Sequence, residues 1–393
     1  MSRLCINPNL MPLDEAKRII LTSFAVPDNR ITAPVPDTCG RVLAGPVCSK
    51  RTNPPLILGG PDGVAVRSKE TAGAGKDNGI ELEAPRVNTG MPLPEGFDAV
   101  IAIEEVTKVA ENRYMIHAPV SPYENTIPKG SDVEEGDLIM DGDHLITPLD
   151  IGTLLNCGYT EIPVKNWKVG LIATGDEIIS HDENPLPGQI VNTNSFIFAS
   201  YLKQYGVEPV LYPIIRDNRD SIAQGIHKAL DECDMVLVFG GSSAGSKDFT
   251  VDALKDSGEL LIHGVAMGPG KPASMARVNG KPAFGMPGPS ISARTVFHEL
   301  VRPLLVQWGV PVIPDTVVRG VLAADIPSMG KFDRFMMVKV EKKDGETSIV
   351  PLSRSPGYMI MLRADAILHV PGTFALHSGD VVKVRMLRTI PSP

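Results

Sequence analysis

The sequence lacks the features that mark several broad classes of protein. Its five cysteines are scattered, with no close pairing of the kind that zinc sites or disulfide frameworks use. No apolar run approaches the ~18 residues of a membrane span, and the N-terminus has no apolar signal segment. The net charge of −8 argues against broad nucleic-acid binding, which favours a basic surface. These absences predict a cytoplasmic protein that binds neither membranes nor nucleic acid.

The chain has length enough for several domains. Its 393 residues correspond to roughly two to four domains. A chain of this length can bury a stable core without disulfide bonds or structural metal sites. From residue 167 to about residue 310, short apolar segments alternate with helical ones, which predicts a doubly wound parallel sheet. Residues 80–150 and the region after 310 instead show short β-rich segments between turn residues. They predict all-β domains, the last one a small barrel or sandwich.

Three local patterns give sharper predictions. Residues 11–25 suit an amphipathic helix that Pro12 helps to start. The dipeptide Asn279-Gly280 predicts a hairpin turn within residues 273–284. A helix is expected over residues 290–308, and Pro303 inside it predicts a kink or an early end.

One stretch carries the clearest sign of a ligand site. Residues 234–239 are short and apolar, which is typical of a buried parallel strand, and three glycines follow: Gly240, Gly241 and Gly245. Glycines let a ligand approach the main chain closely, and Ser246 or Asp248 can cap the next helix. Strand, glycine loop and helix N-terminus together suit an anion. The structural alternative is a tight turn that needs glycine for its backbone alone.

Two further loops strengthen the ligand-site hypothesis. The segment 267–272 offers Lys271 on a Pro-Gly frame, and the segment 284–292 again joins an apolar stretch, a glycine turn and serines that open a helix. All three loops are expected at the C-terminal edge of one sheet, where open α/β folds bind ligands. Backbone amides, Lys271 and the hydroxyls of Ser243 and Ser292 suit a phosphate.

Acidic residues follow the first strand of the predicted sheet. Asp176 and Glu177 come directly after the apolar segment 168–173, so they are placed to hold Mg²⁺ or a water. Their structural alternative is a turn or a helix cap. Asp62 and Asp132 lie in turns, and an aspartate there more often bonds its own backbone.

Seven segments, in order, resemble motifs of the molybdopterin molybdenumtransferase family, which includes the C-terminal domain of gephyrin. The motifs are DGYAV, TGAPLPEGADAV, GEDV, TGDE, SGGVSVGDYD, MKPGKP and GLPGNPVS, and the matching segments are 62–66, 89–100, 130–133, 174–177, 240–248, 267–272 and 285–292. Seven collinear matches are far more specific than a single glycine loop. The resemblance covers nearly the whole chain.

The resemblance implies an L-shaped homodimer whose subunits have four domains. We therefore predict an N-terminal helix and extended linker over 1–50, onto which 145–165 pack back, an all-β domain over 51–144, a doubly wound molybdopterin-binding domain over 166–309 and a C-terminal β-barrel over 310–393. The active cleft would lie between the doubly wound domain and the β domains of the partner subunit. Apo-molybdoenzymes or other cofactor-synthesis proteins are further candidate partners.

The resemblance also implies a reaction. The doubly wound domain would bind adenylylated molybdopterin, a pterin nucleotide, and molybdate would enter the dithiolene with release of AMP, assisted by Mg²⁺. The predicted catalytic residues are Asp62, Asp132, Asp176 and Glu177, of which Asp176 and Glu177 would hold the metal. The predicted ligand-binding residues are Gly240, Gly241, Ser243, Gly245, Asp248, Lys271, Pro287, Gly288 and Ser292.

Five departures from the family pattern affect the proposed cleft. The residues here are Ile57 for an aspartate, Ser246 for an aspartate, Gly268 for a lysine, Pro289-Ser290 for an Asn-Pro pair, and Ile360-Met361 for a serine pair. They predict a cleft with fewer carboxylates, cations and hydroxyls, and each lost charged contact typically costs orders of magnitude in rate. The leading hypothesis is a divergent molybdenum insertase. The alternatives are a paralogue that binds or delivers the pterin nucleotide without turnover, and a dimeric scaffold.

Overall fold

The computed structural model describes residues 10–241, 248–343, 345–352 and 358–388. Helix α1 (Leu13–Ser23) begins after Pro12, as the sequence predicts. Its apolar face buries Leu13, Ala16 and Ile20, one turn apart. The chain divides into two compact units, residues 30–165 and a second unit formed by residues 1–29 with 166–393.

The unit 30–165 is built mostly of short strands, because Gly- and Pro-rich turns interrupt it every few residues. Two three-stranded antiparallel sheets, β6-β4-β7 and β5-β9-β8, surround one apolar core, and β1 pairs with β12 beside a second core. Helix α2 begins at Pro148 after a Thr147 capping box. The elements are β1 (Arg30–Pro34), β2 (Val47–Cys48), β3 (Leu58–Gly59), β4 (Gly63–Val66), β5 (Ile80–Glu83), β6 (Arg86–Val87), β7 (Ala99–Ala102), β8 (Val106–Ala110), β9 (Arg113–Ile116), β10 (Thr126–Ile127), β11 (Leu138–Met140), α2 (Pro148–Asn156) and β12 (Glu161–Lys165).

The central sheet of the other unit has six strands in the order β16-β13-β17-β21-β20-β18. The first four strands are parallel, and β20 and β18 form an antiparallel edge. The elements are β13 (Lys168–Thr174), β14 (Ile178–Ile179), β15 (Ile190–Val191), α3 (Asn194–Gln204), β16 (Glu208–Leu211), α4 (Arg219–Glu232), β17 (Met235–Gly240), α5 (Phe249–Ser257), β18 (Glu259–His263), β19 (Met267–Gly268), β20 (Ser274–Val278) and β21 (Lys281–Met286).

Helices cover both faces of this sheet, so the predicted doubly wound fold is confirmed. Val236 and Val238 point to the face covered by α4 and α5. Phe239 points to the other face, where its ring lies 5.0 Å from that of Phe198 on α3. The predicted hairpin is also confirmed, since Asn279 and Gly280 turn β20 into β21 with φ of +49° and +79°.

The helix after β21 is interrupted where Pro303 predicts a distortion. It runs as α6 (Ser290–Val296), a π-helical segment (Phe297–Val301) and α7 (Arg302–Gln307). The wider π turn ends just before Pro303, which occupies the first turn of α7, where a missing N–H costs little.

The remainder of the unit is a closed barrel of five strands, which confirms the barrel and excludes the sandwich. The elements are β22 (Val317–Leu322), β23 (Asp333–Lys343), β24 (Glu346–Pro351), α8 (Tyr358–Arg363), β25 (Ala366–Val370) and β26 (Val381–Met386). The pairing β23-β24-β22-β26-β25 closes because β25 also pairs with β23. The short helix α8 was not predicted from the sequence.

A buried carboxylate joins α1, the π-helical segment and the barrel. Glu299 accepts hydrogen bonds from Lys17 Nζ at 2.7 Å and from Arg385 Nη2 at 2.6 Å. Burial would raise the pKa of Glu299, but a hydrogen bond with His298 and the charges of Arg385 and Lys17 together hold that pKa far below its usual range. Glu299 is therefore ionised and fully partnered. Within the described ranges, no helix has the length and apolar character needed to cross a membrane.

Candidate functional site

A cavity opens where the connections of the central sheet diverge. The chain runs from β13 to β16 on one side and then crosses back to β17 on the other, so the strand order reverses between β13 and β17. At this edge Thr174 ends β13 beside Gly240 of β17. Ligands of open α/β sheets bind at such a point. The cavity there measures about 650 Å³, which suits a small-molecule ligand.

The cavity is lined by loops that follow the four parallel strands and by one element of the barrel. Its walls combine small or apolar groups with amides, hydroxyls and two carboxylates. The lining residues are Ala173, Glu177, Ile178, Ile190, Val191, Asn192, Thr193, Asn194, Asp217, Phe239, Gly240, Gly241, Gly288, Pro289, Ser290, Ile291, Tyr358 and Met361.

Two of the predicted glycines are required by the backbone at the cavity. Gly240 has φ of +103°, and a Cβ there would lie 2.1 Å from the carbonyl oxygen of Thr174. Gly241 has φ of +67°, and its Cβ would lie 2.2 Å from Thr250 Oγ1, which itself donates to the Gly240 carbonyl at 2.8 Å. The structural reason for these glycines therefore holds, and the same absence of side chains leaves their backbone open to a ligand.

The remainder of the glycine loop can be followed at its far end only. Asp248 caps α5 by accepting a hydrogen bond from the Val251 N–H at 3.0 Å, as the sequence predicts. Ser243, Gly245 and Ser246 lie outside the described residues.

Two carboxylates, Glu177 and Asp217, line the cavity. Asp217 accepts a hydrogen bond from Thr174 Oγ1 at 3.3 Å, and its backbone N–H donates to Asp176 Oδ1 at 3.4 Å. Burial raises the pKa of Asp217, and the nearby carboxylates of Glu177 and Asp176 raise it further. Asp176 itself is largely exposed and is not a lining residue. Negative charge thus concentrates at this edge of the sheet.

Asp217 is a site residue that the sequence reasoning missed. The signal was present, because Asp217 follows the strand β16 as Asp176 follows β13, and parallel strands end at a common edge. The same argument that singled out Asp176 and Glu177 applies to it.

These carboxylates fit a hard divalent cation. Mg²⁺ in phosphate-binding sites uses one or two carboxylates together with the phosphates of the ligand. In the described part of the chain no cluster of three or more metal-ligating side chains occurs, and none of the described lining residues is a lysine or an arginine. Among the described lining, backbone N–H groups and a metal shared with the ligand would meet the charge of an anionic ligand.

A chain of hydroxyl and amide groups crosses one wall of the cavity. Asn194 Nδ2 donates to the Gly288 carbonyl at 2.8 Å, and Ser290 Oγ donates to Asn194 Oδ1 at 2.7 Å. The Tyr358 hydroxyl lies 3.2 Å from Ser290 Oγ and also bonds Thr193 Oγ1. Sequence reasoning did not single out Asn192, Thr193, Asn194 or Tyr358, and α8 gave no recognisable helical signal.

Five predicted residues of the same unit are described and are not lining residues: Asp176, Asp248, Lys271, Pro287 and Ser292. The Lys271 carbonyl accepts from the Val265 N–H at 3.0 Å, and the same loop pairs with the barrel, Gly268 beside Arg334 of β23. Gly288 does line the cavity. The phosphate-binding role expected of Lys271 remains a prediction.

Asp62 and Asp132 belong to the unit 30–165, where each accepts a hydrogen bond from another segment of that unit. Asp62 Oδ1 accepts from the Thr89 N–H at 2.8 Å, and that hydrogen bond holds the pKa of Asp62 below its usual value. Asp132 Oδ2 accepts from Asn53 Nδ2 at 2.9 Å. Both carboxylates thus bond a segment that is distant in the sequence, and a catalytic role remains a prediction.

Comparison with known proteins covers almost the entire chain. Residues 170–307 match a family described as "Probable molybdopterin binding domain", residues 11–158 match the MoeA N-terminal region (domain I and II), and residues 319–387 match the MoeA C-terminal region (domain IV). A molybdopterin molybdenumtransferase of Staphylococcus aureus is 28% identical over 404 residues, which cover 95% of this chain and 96% of that protein.

Solved structures agree with these matches. A molybdopterin biosynthesis MoeA protein from Pyrococcus horikosii superposes with a TM-score of 0.80 at 27% identity, over 97% of this chain and 100% of that chain. A second structure of such a protein, from Pyrococcus horikoshii OT3, gives a TM-score of 0.71 at 27% identity, over 96% of this chain and 100% of that chain.

Proposed function

Because this chain belongs to the MoeA family of molybdopterin molybdenumtransferases, we propose that it acts in molybdenum cofactor biosynthesis, inserting molybdate into adenylylated molybdopterin with release of AMP. The observation that carries the proposal is the cavity of about 650 Å³ at the switch point of the sheet, with glycine backbone and two carboxylates in its walls. Both features suit a nucleotide whose phosphates share a cation with the protein.

The residues divide into two roles under this proposal. The backbones of Gly240, Gly241 and Gly288 approach the ligand, and the predicted ligand residues outside the described cavity lining complete the set: Ser243, Gly245, Asp248, Lys271, Pro287 and Ser292. Glu177 and Asp217 hold Mg²⁺, with Asp176 beside them. When bound, Mg²⁺ supplies positive charge to the phosphoanhydride that breaks as AMP leaves.

The active assembly that we propose is a homodimer in the cytoplasm. The family resemblance supports it. Asp62 of the partner subunit and Asp132 of the partner subunit would then complete the site.

The charge of the cavity lining supports a second candidate function. Lysine and arginine are missing from the described lining, and Gly268 stands where the family has a lysine. Losing charged contacts to a transition state lowers turnover more than it lowers binding. The second candidate is therefore a paralogue that binds or delivers the pterin nucleotide without turnover.

AMP release from adenylylated molybdopterin decides between the two functions. With molybdate and Mg²⁺ present, we expect AMP to appear, and we expect its release to stop when a chelator removes Mg²⁺. Glu177→Gln should slow release about 100-fold, since one charged contact is lost. Glu183→Gln is the matched control, because Glu183 is exposed on the next loop and does not line the cavity.

The contrary outcomes are distinct. Tight binding of the pterin nucleotide without AMP release would support the binding paralogue. No measurable binding by isothermal titration would refute both functions and leave the scaffold.

A further inference from the structure

Two departures from the family pattern contact each other at the cavity. Ser290 stands where the family has the proline of its Asn-Pro pair, and Tyr358 stands two residues before the position where its serine pair begins, at a methionine of the family motif. These residues are far apart in sequence and belong to α6 and α8. Their hydroxyl oxygens are nevertheless 3.2 Å apart. Two independent substitutions would not be expected to bring two hydroxyl groups into contact.

The contact is part of a chain in which the polar groups are matched. Asn194 commits its N–H group to the Gly288 carbonyl, so its oxygen accepts the hydrogen of Ser290. The Ser290 hydroxyl also lies 3.2 Å from the Tyr358 oxygen. The hydroxyls of Tyr358 and Thr193 bond each other, and either one can be the donor. Such an unbroken chain polarises along its length and holds the Tyr358 ring in one place.

The anchored ring changes the character of the cavity wall. Tyr358 and Met361 lie one helical turn apart on α8, so that one face of this helix lines the cavity with a ring and a thioether. Ile291 adds a further apolar side chain to the lining, and the glycines leave other parts of it without side chains. An apolar wall beside bare backbone favours a flat ligand, because aromatic faces bind nitrogen heterocycles by stacking.

We propose that Ser290 and Tyr358 act together as a specificity-determining element, in which the anchored ring of Tyr358 is the wall against which a flat nitrogen heterocycle of the ligand lies. This inference rests on the proposed function. Two parts of the proposed substrate have that chemistry, the adenine of AMP and the pterin. The hydroxyls of Ser290 and Tyr358 take the place of those in the family's serine pair, where this chain has Ile360-Met361.

The test compares three probes, AMP, unsubstituted pterin and inorganic pyrophosphate, by isothermal titration with the full chain. Tyr358→Met removes the ring, and we expect about ten-fold weaker binding of the heterocycle that uses this wall, as for other aromatic platforms. Pyrophosphate binding should not change. Met359→Leu is the control, because Met359 is on the same helix, 56% exposed and outside the cavity lining.

A double-mutant cycle tests whether the pair acts as one unit. Tyr358→Phe and Ser290→Ala each break the chain while keeping the surrounding shape, so each should weaken heterocycle binding about five-fold. The double variant should also bind about five-fold more weakly, rather than the roughly 25-fold that independent effects would give. The family-like Ser290→Pro is a tolerable further variant, since Ser290 is the first residue of α6 and Pro289 already has an extended backbone.

The outcomes separate this inference from the proposed function. If the wild type binds neither AMP nor pterin, the inference is refuted, and titration with adenylylated molybdopterin decides the proposed function separately. If the wild type binds them and Tyr358→Met binds them equally well, the inference alone is refuted. Equal losses for pyrophosphate and the heterocycles, or multiplicative losses in the cycle, would likewise overturn it. If Tyr358→Met binds AMP more weakly, the adenine lies on Tyr358. If it binds pterin more weakly, the pterin does.

Discussion

Replacing Asp217 with asparagine should make the protein more stable and less active. Burial and the carboxylates of Glu177 and Asp176 raise the pKa of Asp217, so the folded state disfavours its ionised form. Asparagine has a similar shape and no charge. It therefore relieves the repulsion at the edge of the sheet and removes an oxygen ligand for the cation that the proposed reaction uses.

The pH dependence of this stabilisation has a definite sign. A carboxyl whose pKa is higher in the folded state than in the unfolded state favours folding at low pH. This contribution is lost as pH rises from the unfolded pKa of about 3.9 through the folded value. Asp217→Asn should therefore raise the unfolding free energy at pH 7. The two proteins should converge well below about pH 4, where both states of the wild type are protonated.

The expected size is modest because the side chain of Asp217 is only partly buried. Solvent screening limits the gain to about 1 kcal/mol or less, which corresponds to a rise in melting temperature of at most about 3 °C for a unit of this size. Mg²⁺ acts in the opposite sense. At ten times its dissociation constant it should stabilise the wild type by about 1.4 kcal/mol, and the variant should lose most of this gain.

Thermal unfolding with and without Mg²⁺, together with AMP release, measures all three effects. Turnover should fall about 100-fold in Asp217→Asn. Asp256→Asn is a control of opposite sign, because the hydrogen bond from Arg219 lowers the pKa of Asp256, and its loss should destabilise. If Asp217→Asn is less stable than the wild type at pH 7, Asp217 is not electrostatically strained. If the variant responds to Mg²⁺ as the wild type does, Asp217 is not a metal ligand.

Two further predictions concern the frame that holds the site. Glu299→Gln leaves the half-buried cations Lys17 and Arg385 without their buried carboxylate. It should lower the unfolding free energy by about 3 kcal/mol at pH 7 in urea, an effect that should shrink below about pH 4.3, where the unfolded glutamate is protonated. Glu259→Gln, which removes an exposed ion pair, should cost less than about 1 kcal/mol. Gly240→Ala should cost more than about 2 kcal/mol and abolish AMP binding, because its Cβ meets the Thr174 carbonyl. Gly379→Ala, with similar φ and open space, should cost about 1 kcal/mol and leave binding intact; equal losses would contradict the clash.

Local periodicity was enough to predict the doubly wound sheet, its hairpin edge and the five strands of the barrel. Apart from β16, which has four residues, these elements run over at least five residues, so each one repeats its signal within its own segment. Helix α8 has six residues and no buried stripe, and it packs over a cavity that is built from other elements. Nothing within its own sequence could indicate that position.

Residues of the candidate site could be predicted where neighbours in the sequence are also neighbours in the fold. They could not be predicted where the two differ. Glu177, Gly240, Gly241 and Gly288 follow parallel strands directly, so the strand ends bring them to one edge. Lys271 was grouped with them because its loop is close in sequence, and it does not line the described cavity. Its loop also pairs with the barrel through β19 and β23, a non-local contact that no local pattern encodes, and its phosphate-binding role stays a prediction.

The departures from the family pattern show why position-by-position comparison overestimates what a site has lost. Read in sequence, Ile360-Met361 and Pro289-Ser290 remove hydroxyls and an amide from the expected cleft. In the folded chain, the hydroxyls of Ser290, Tyr358 and Thr193 meet at the same cavity, and Asn194 supplies an amide to them. A cavity constrains which groups reach its interior and does not constrain which chain position supplies them. A functional group that is lost at one position can therefore be supplied from another. A comparison of single positions records only the loss.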